Sequence, residues 1–426
     1  MDILIKNARV VSPADSIDEK ADILVRGGKI ASVGKELLKS GETVDNVIDA
    51  EGLYAIPGLV DMHVHLRDPG QTQKEDIITG CRAAAAGGVT SLLCMPNTTP
   101  TVDSPETVEY IINKAKNAAA KVYVAASVTK GLKSEEPTDW NALRKAGAVA
   151  LSDDGRPVEN TAFLREAMKQ APDLGMTVAA HCEDLFLADG GKINEGKVSS
   201  ALGVKGIPSS AEDCGIAREI AVAAADDVPI HICHVSTKTG VALVRDAKRR
   251  GVKVTAETAP HYFSLTEKEL LRRDADYRMN PPLRTEKDVA AIIEGLTDGS
   301  LDCIATDHAP HTTEDKADFE KAPNGSIGME SSLAAGITYL VKPGIMTFSQ
   351  LVEKMSVNPA RILGINAGTL SVGAPADIAL VDLNEQWTVD PEKLHGKSKN
   401  TPFKGLTFTG KVRKTILDGS VVYNGD

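Results

Sequence analysis

No stretch of the 426 residues approaches the ~18 consecutive apolar positions that a membrane-spanning helix requires, so nothing is expected to cross a bilayer. The 48 basic residues form no run and no stripe interleaved with aromatics, and 59 acidic residues outnumber them for a net charge of −11. Nucleic acid and anionic membrane surfaces are therefore not expected partners. The six cysteines (Cys81, Cys94, Cys182, Cys214, Cys233, Cys303) stand singly with no CxxC pair, several of them in apolar strand-like runs. That usage predicts a reduced protein and argues against cysteine-bound zinc. The opening MDILIKNARVV lacks the charged-then-apolar layout of a signal peptide, and a cytoplasmic location is expected. No low-complexity segment or internal repeat stands out. No glycine fingerprint follows the first strongly apolar strand, which counts against a doubly wound nucleotide-binding sheet.

What is present is alternation. From Gly58 onward eight strand candidates can be read: LVDMHVHL, TSLLCMPN, KVYVAASV, GAVALSDD, MTVAAHCE, VPIHICHV, VKVTAETA and LDCIATDH. Seven helical stretches separate them, the first ending on Gly87-Gly88, with Ser104-Pro105 and Ser210 as helix-start signals. Eight strand–helix repeats over about 300 residues predict an α/β fold, a (β/α)8 barrel. Both ends of the chain differ from the middle. They read as short strands and turns, with a Gly27-Gly28 turn signal near the start and GTLSVGAPADIALVDL and VRKTILDGSVVYNG near the end. Residues 1–56 and 366–426 are expected to join into one small discontinuous β domain, a β-sandwich beside a catalytic barrel over 57–365.

The chemistry starts in Gly58 to Pro69, GLVDMHVHLRDP. His63 and His65 are two apart on a strand and must share a face. Two histidines can be structural, but desolvating a pair of imidazoles in so apolar a strand needs strong compensation, and a metal ion supplies it. The other strand ends carry suitable partners: Asn97 after the second, Asp153 and Asp154 at the fourth, His181 at the fifth, His234 at the sixth and Asp307 at the eighth. Barrel active sites are built at that rim. Four histidines and two carboxylates suit two zinc ions sharing a carboxylate and a hydroxide, a site suited to hydrolysing an amide or ester. An aspartate of strand four is placed to bridge, and periodicity leaves Asp153 and Asp154 equally open. Asp307 could ligate and also shuttle a proton. Arg67, just past the first pair, suits a substrate carboxylate held in two hydrogen bonds. His311 lies past the last strand, within reach of substrate. His231 and His308 are expected to face away from the site, His395 to lie at the surface, and His261 to stand either behind the ligands or in the core.

These segments together resemble the amidohydrolase superfamily and, within it, the bacterial type I dihydroorotase family. The resemblance runs nearly end to end and rests on DMHVHLRDPG (61–70), MPNTTP (95–100), SDDG (152–155), AAHCED (179–184), HVST (234–237), the TAPHYF and MNPPLR segments, and ATDHAPHTTEDK (305–316). It implies reversible interconversion of N-carbamoyl-L-aspartate and L-dihydroorotate in pyrimidine biosynthesis. It implies His63, His65 and Asp307 on one zinc, His181 and His234 on the other, and an aspartate bridge in place of the carboxylated lysine of many relatives; the spacing to His181 in the family selects Asp154. It further implies Asp307 as the catalytic proton carrier, with His65, Arg67, Asn97, Asn280, His311, Asn324 and Gly325 in contact with substrate. A homodimer, or a complex with aspartate transcarbamoylase, is implied in the same way. One departure stands out: the substrate loop of the family usually reads APFG, and here it is Ala322-Pro323-Asn324-Gly325.

Two other readings compete. A hydantoinase, dihydropyrimidinase or allantoinase would share the architecture, but a neutral hydantoin offers Arg67 no carboxylate, and the lysine expected at strand four is missing. A non-catalytic partner of the transcarbamoylase would be expected to have lost ligands, whereas all six are present here.

Overall fold

The computed structural model describes residues 2–38 and 40–425. Eight parallel strands follow one another around a barrel: β1 (Leu59–Val64), β2 (Val89–Cys94), β3 (Lys121–Ala126), β4 (Ala150–Leu151), β5 (Thr177–Ala180), β6 (Ile230–Ile232), β7 (Val254–Thr258) and β8 (Cys303–Ile304). Each falls inside a stretch expected to be a strand, except that β2 starts one residue earlier than expected, at Val89. β1 and β2 are buried along their whole length, which is why their sequences are almost continuously apolar rather than alternating. A parallel bridge from Val64 to His308 joins the last strand's extension to the first, with His65 N–H donating to the His308 carbonyl at 2.8 Å. Asp61 reinforces that seam. Its carboxylate accepts from the Thr306 backbone N–H at 3.0 Å and from the Thr306 hydroxyl at 2.6 Å.

The seven expected helices are present over Ile77–Ala86, Pro105–Ala115, Trp140–Ala146, Thr161–Gln170, Ser209–Asp226, Lys238–Arg249 and Glu286–Asp298. The first is started by Asp76, whose side chain accepts from the Ile78 and Thr79 amides, and it stops at Gly87-Gly88, where Gly88 adopts φ +81°. The fifth begins one residue before Ser210, at Ser209, behind Pro208. The helices after β8 escaped the sequence reading. The run Ser332–Leu363 is broken by two π-turns, Ile337–Val341 and Glu353–Val357, which shift the buried face and erase the 3.6-residue period.

The terminal segments meet in one mixed sheet, ordered Ser420–Asn424, Thr407–Leu417, Ile378–Thr388, Tyr54–Pro57, Ile3–Ser12, Ile17–Arg26 and Lys29–Gly34, with Asn46–Asp49 also paired to Ile3–Ser12. Gly27 and Gly28, both at positive φ, make the two-residue turn between Ile17–Arg26 and Lys29–Gly34. The sheet has its own apolar core around Ile3, Ile5, Val10, Ile23, Leu380 and Ile416, separate from the larger barrel core. Between the two, Lys121 of β3 reaches Asp377 and Asp418 at 2.8 Å each. Among the described residues no helix is long and apolar enough to cross a membrane.

Candidate metal centre and substrate pocket

The six rim residues named from the sequence converge at the C-terminal ends of the barrel strands. Asp154 stands at the centre. Its Oδ1 lies 3.3 Å from His63 Nε2, 3.4 Å from His181 Nδ1 and 3.3 Å from His234 Nε2, and its Oδ2 lies 3.4 Å from His65 Nε2. Asp307 Oδ1 is 3.3 Å from His65 Nε2 and 3.7 Å from His63 Nε2. All six are buried. Asp153, the alternative on the same strand end, turns away: it accepts from the Val128 and Thr129 amides at 2.7 and 3.1 Å and from the Thr129 hydroxyl. Burial pushes the Asp154 carboxyl up, but the surrounding His63, His181 and His234 outweigh it and hold the group well below the usual carboxylate range. For Asp307, burial is likewise outweighed by His65 and its neighbours, so this carboxyl too is lowered.

These residues fit a metal. The ligand-capable atoms of His63, His65 and Asp154 lie within 4.8 Å of one another, and so do those of Asp154, His181 and His234, so two three-residue groups share one carboxylate. His63 Nε2 is buried without a hydrogen-bond partner, and His181 Nδ1 and His234 Nε2 approach to 2.9 Å. Nitrogen lone pairs brought so close need a cation or a proton between them. A third grouping, His63, Cys233 and Glu257, is different: Glu257 Oε1 already holds His63 Nδ1 at 2.8 Å, and burial and then Glu257 push the Cys233 thiol up to about 12.

Three of the four histidines are aimed by a second contact, most of which the sequence reading missed. His63 Nδ1–H donates to Glu257 Oε1 at 2.8 Å, and Glu257 also lies 3.3 Å from His231 Nε2. His65 Nδ1–H donates to Asn97 Oδ1 at 2.8 Å, and His181 Nε2–H points at Glu183 Oε2 at 3.3 Å. Such contacts fix the tautomer and leave the opposite nitrogen free for a metal. The signal for Glu257 was available: a lone carboxylate in the apolar stretch VKVTAETA demands a buried partner as much as the histidines of β1 do. Glu183, two residues past His181, repeats the spacing of His63 and His65.

Beside these groups opens a cavity of ≈ 180 Å³ lined by His65, Arg67, Asp154, His181, Asn280, Asp307 and the Asn324-Gly325 turn, among others. Arg67 is 7% exposed, and its Nε donates to the Pro310 carbonyl at 3.1 Å. His311 does not line the cavity but stands behind Arg67. Its Nε2–H donates to the Asn324 carbonyl at 2.9 Å, and Lys74 Nζ approaches its Nδ1 at 3.4 Å. Burial and the neighbouring Arg67, Lys316 and Lys74 push this imidazole down to about 2, so it is neutral. Asn97 is likewise behind the wall, on His65. Asn280 lies in the wall, its Nδ2 3.2 Å from Glu183 Oε2. The Asn324 side chain points outward to Arg278 at 3.2 Å, so this turn presents backbone to the cavity. Arg67, His234 and Asp307 all sit at positive φ (60°, 36° and 47°), a strained backbone of the kind that gathers at functional sites.

The remaining histidines are accounted for. His231 bonds Thr255 Oγ1 at 2.8 Å, and His308 Nδ1 accepts from the Gly328 amide at 3.2 Å. His261 is buried against the Tyr262 ring, and burial lowers it to about 4. His395, expected at the surface, is half-exposed and bonded to Glu330 at 2.7 Å, because the C-terminal segment folds back onto the barrel.

Comparison with known proteins agrees with the geometry. The family described as Dihydro-orotase-like matches residues 52–240. A dihydroorotase of Acetivibrio thermocellus is 51% identical over 423 residues, 99% of this chain and 98% of that protein. A dihydroorotase of Geotalea daltonii is 50% identical over 428 residues, the whole of both chains. Among solved structures, the L-hydantoinase (dihydropyrimidinase) of Arthrobacter aurescens superimposes with a TM-score of 0.89 at 27% identity, covering 99% of this chain and 96% of that one. The dihydropyrimidinase of Brevibacillus agri gives 0.87 at 27%, covering 100% and 95%.

Proposed function

This chain belongs to the dihydroorotase family of the amidohydrolase superfamily, cyclic amidohydrolases that interconvert N-carbamoyl-L-aspartate and L-dihydroorotate, and on that premise we propose the roles of its residues. His63 and His65 with Asp307, and His181 with His234, would hold two zinc ions, with Asp154 shared between them. The observation that carries this reading is the single buried carboxylate of Asp154 with four imidazole nitrogens at 3.3–3.4 Å. When bound, the metals would supply an activated water and polarise the amide carbonyl.

The chain's own side chains do the rest. Arg67, backed by His311 and with Asn97 behind His65, would hold the substrate carboxylate; a fixed two-pronged donor orients the ring as well as binding it. Asn280, held by Glu183, would meet the ring amide, and the Asn324-Gly325 turn would offer backbone groups. Asp307 would accept the proton of the attacking water and deliver it to the departing ring nitrogen; in the cyclising direction it returns the same proton. Since the turn contacts the cavity through its backbone, Asn324 in place of the family's usual Phe leaves that contact intact.

Solved structures similar to this one include hydantoinases and dihydropyrimidinases, so substrate choice needs its own test. Purified protein is assayed on L-dihydroorotate and on hydantoin, with metal content measured on the same sample. Turnover of dihydroorotate with about two zinc per chain is expected; turnover of hydantoin alone would overturn the assignment. Arg67→Ala should raise KM for dihydroorotate at least about 10-fold, since a charged hydrogen-bond pair is lost. For the chain as a whole we propose a cytoplasmic homodimer able to dock aspartate transcarbamoylase, tested by sizing the protein alone and mixed with that enzyme. We propose its division into a barrel over 57–365 and a terminal unit of 1–56 with 366–426, a division favoured by the pairing of Tyr54–Pro57 with Ile378–Thr388.

A further inference from the structure

The C-terminal segment does not stay with the terminal sheet. Between Ile378–Thr388 and Thr407–Leu417 it runs back across the barrel mouth. Lys397 N–H donates to the buried Glu75 carboxylate at 3.1 Å, and Lys397 Nζ reaches the Thr72 carbonyl at 2.8 Å. The Ser398 hydroxyl donates to the Lys74 carbonyl at 2.6 Å. The segment is thus fastened to the loop that follows Arg67. Asn400, 4% exposed, is fastened to the loops on the other side. Its Oδ1 accepts from His311 N–H at 3.1 Å, and its Nδ2 donates to the carbonyls of Ala309 at 3.3 Å and Gly325 at 3.1 Å. Its own carbonyl accepts from Ile327 N–H at 3.1 Å.

One side chain therefore joins the 309–311 loop to the 324–327 turn. The first of these carries the Pro310 carbonyl that receives Arg67 Nε, and the second carries the Asn324 carbonyl that receives His311 Nε2–H. Both walls of the pocket around Arg67 are thus joined through a residue 75 to 91 positions further along the chain. We propose that Asn400 is a positioning residue for the reaction, setting the spacing of Arg67 and Gly325, with His311 behind them, around the substrate carboxylate. The inference rests on the reading of Arg67 as the carboxylate clamp. Asn400 touches no reacting atom and acts through the two loops. Its signature is a loss in substrate binding rather than in the chemical step, because Asn400 bonds none of the metal-ligand candidates and comes no nearer to Asp307 along the chain than Ala309.

The test uses the full-length metal-loaded enzyme and four variants: Asn400→Ala, the isosteric Asn400→Asp, Arg67→Ala, and Arg67→Ala combined with Asn400→Ala. Asn400→Asp keeps the acceptor for His311 N–H but sets a carboxylate against two carbonyls, and it preserves volume should the alanine variant fold poorly. Both Asn400 variants are expected to raise KM for L-dihydroorotate roughly 10-fold with kcat within about threefold, metal content unchanged. In the Arg67→Ala background the Asn400 substitution is expected to cost less than about twofold more in kcat/KM, since coupled residues are not additive. Unchanged KM in both Asn400 variants, a parallel fall in kcat and thermal midpoint with KM unaltered, or full additivity with Arg67→Ala would each overturn the positioning role. If Arg67→Ala itself leaves KM unaltered, the clamp reading falls and this inference with it; if Arg67→Ala raises KM and the Asn400 variants do not, only this inference falls.

Discussion

Asp307 combines two positions: 3.3 Å from His65 Nε2 and facing the cavity. An amide in its place keeps one oxygen for ligation and cannot carry a proton. Asp307→Asn should therefore lower kcat by about 10³-fold or more while most of the metal stays bound, read from steady-state rates and metal content together. Full activity in that variant would remove Asp307 from the mechanism. Glu257 acts at one remove. With its carboxylate 2.8 Å from His63 Nδ1 and 3.3 Å from His231 Nε2, it sets the ring that faces Asp154. Glu257→Gln should weaken metal retention about 10- to 100-fold in competition with a chelator. The residue was missed because sequence spacing groups ligands along one strand, whereas this contact runs from β7 across to β1.

Loops between elements decide how close Arg67 stands to the imidazole cluster. The turn after Arg67 closes on Gly70, at φ +86°, where an added Cβ would lie 1.9 Å from the Thr99 carbonyl. Gly70→Ala is expected to cost about 2 kcal/mol or more of stability, from overpacking against backbone and from the left-handed conformation, as measured by denaturant unfolding. The 324–325 turn behaves oppositely. The Asn324 side chain leaves the cavity for Arg278, so Asn324→Ala should keep kcat/KM for dihydroorotate within about threefold. A loss above about 30-fold would mean that the side chain, not the backbone, meets the substrate. Helices with one uninterrupted apolar face, such as Lys238–Arg249, could be read from the sequence. The run Ser332–Leu363 could not, because its π-turns move the buried stripe partway along.

At the scale of the molecule, the proposed metal centre would join opposite sides of the barrel. Its six side chains come from the ends of β1, β4, β5, β6 and β8, so a bound cation ties non-adjacent strands together. Removing metal with a chelator should abolish turnover and lower the thermal midpoint, and restoring zinc should recover both, because a ligand that binds only the folded state stabilises it by mass action. An unshifted midpoint on removal would mean that the ligands hold their places unaided.

The order of strands, the barrel and the rim positions of six polar residues follow from the one-dimensional pattern, because apolar period, strand alternation and chain order are local or sequential properties. So does the meeting of the two chain ends, whose short strands differ from everything between them. Periodicity left Asp153 and Asp154 open and the family resemblance selected Asp154; the tertiary structure supplies the physical reason, since adjacent residues on a strand end differ in which neighbour, Thr129 or the imidazole cluster, they meet. It alone decided that Glu257 backs His63 and that the side chain of Asn324 turns outward. It alone also brought Asn400 onto the pocket. Those contacts join residues tens to hundreds of positions apart, and no periodicity in a single chain encodes a distance across the barrel.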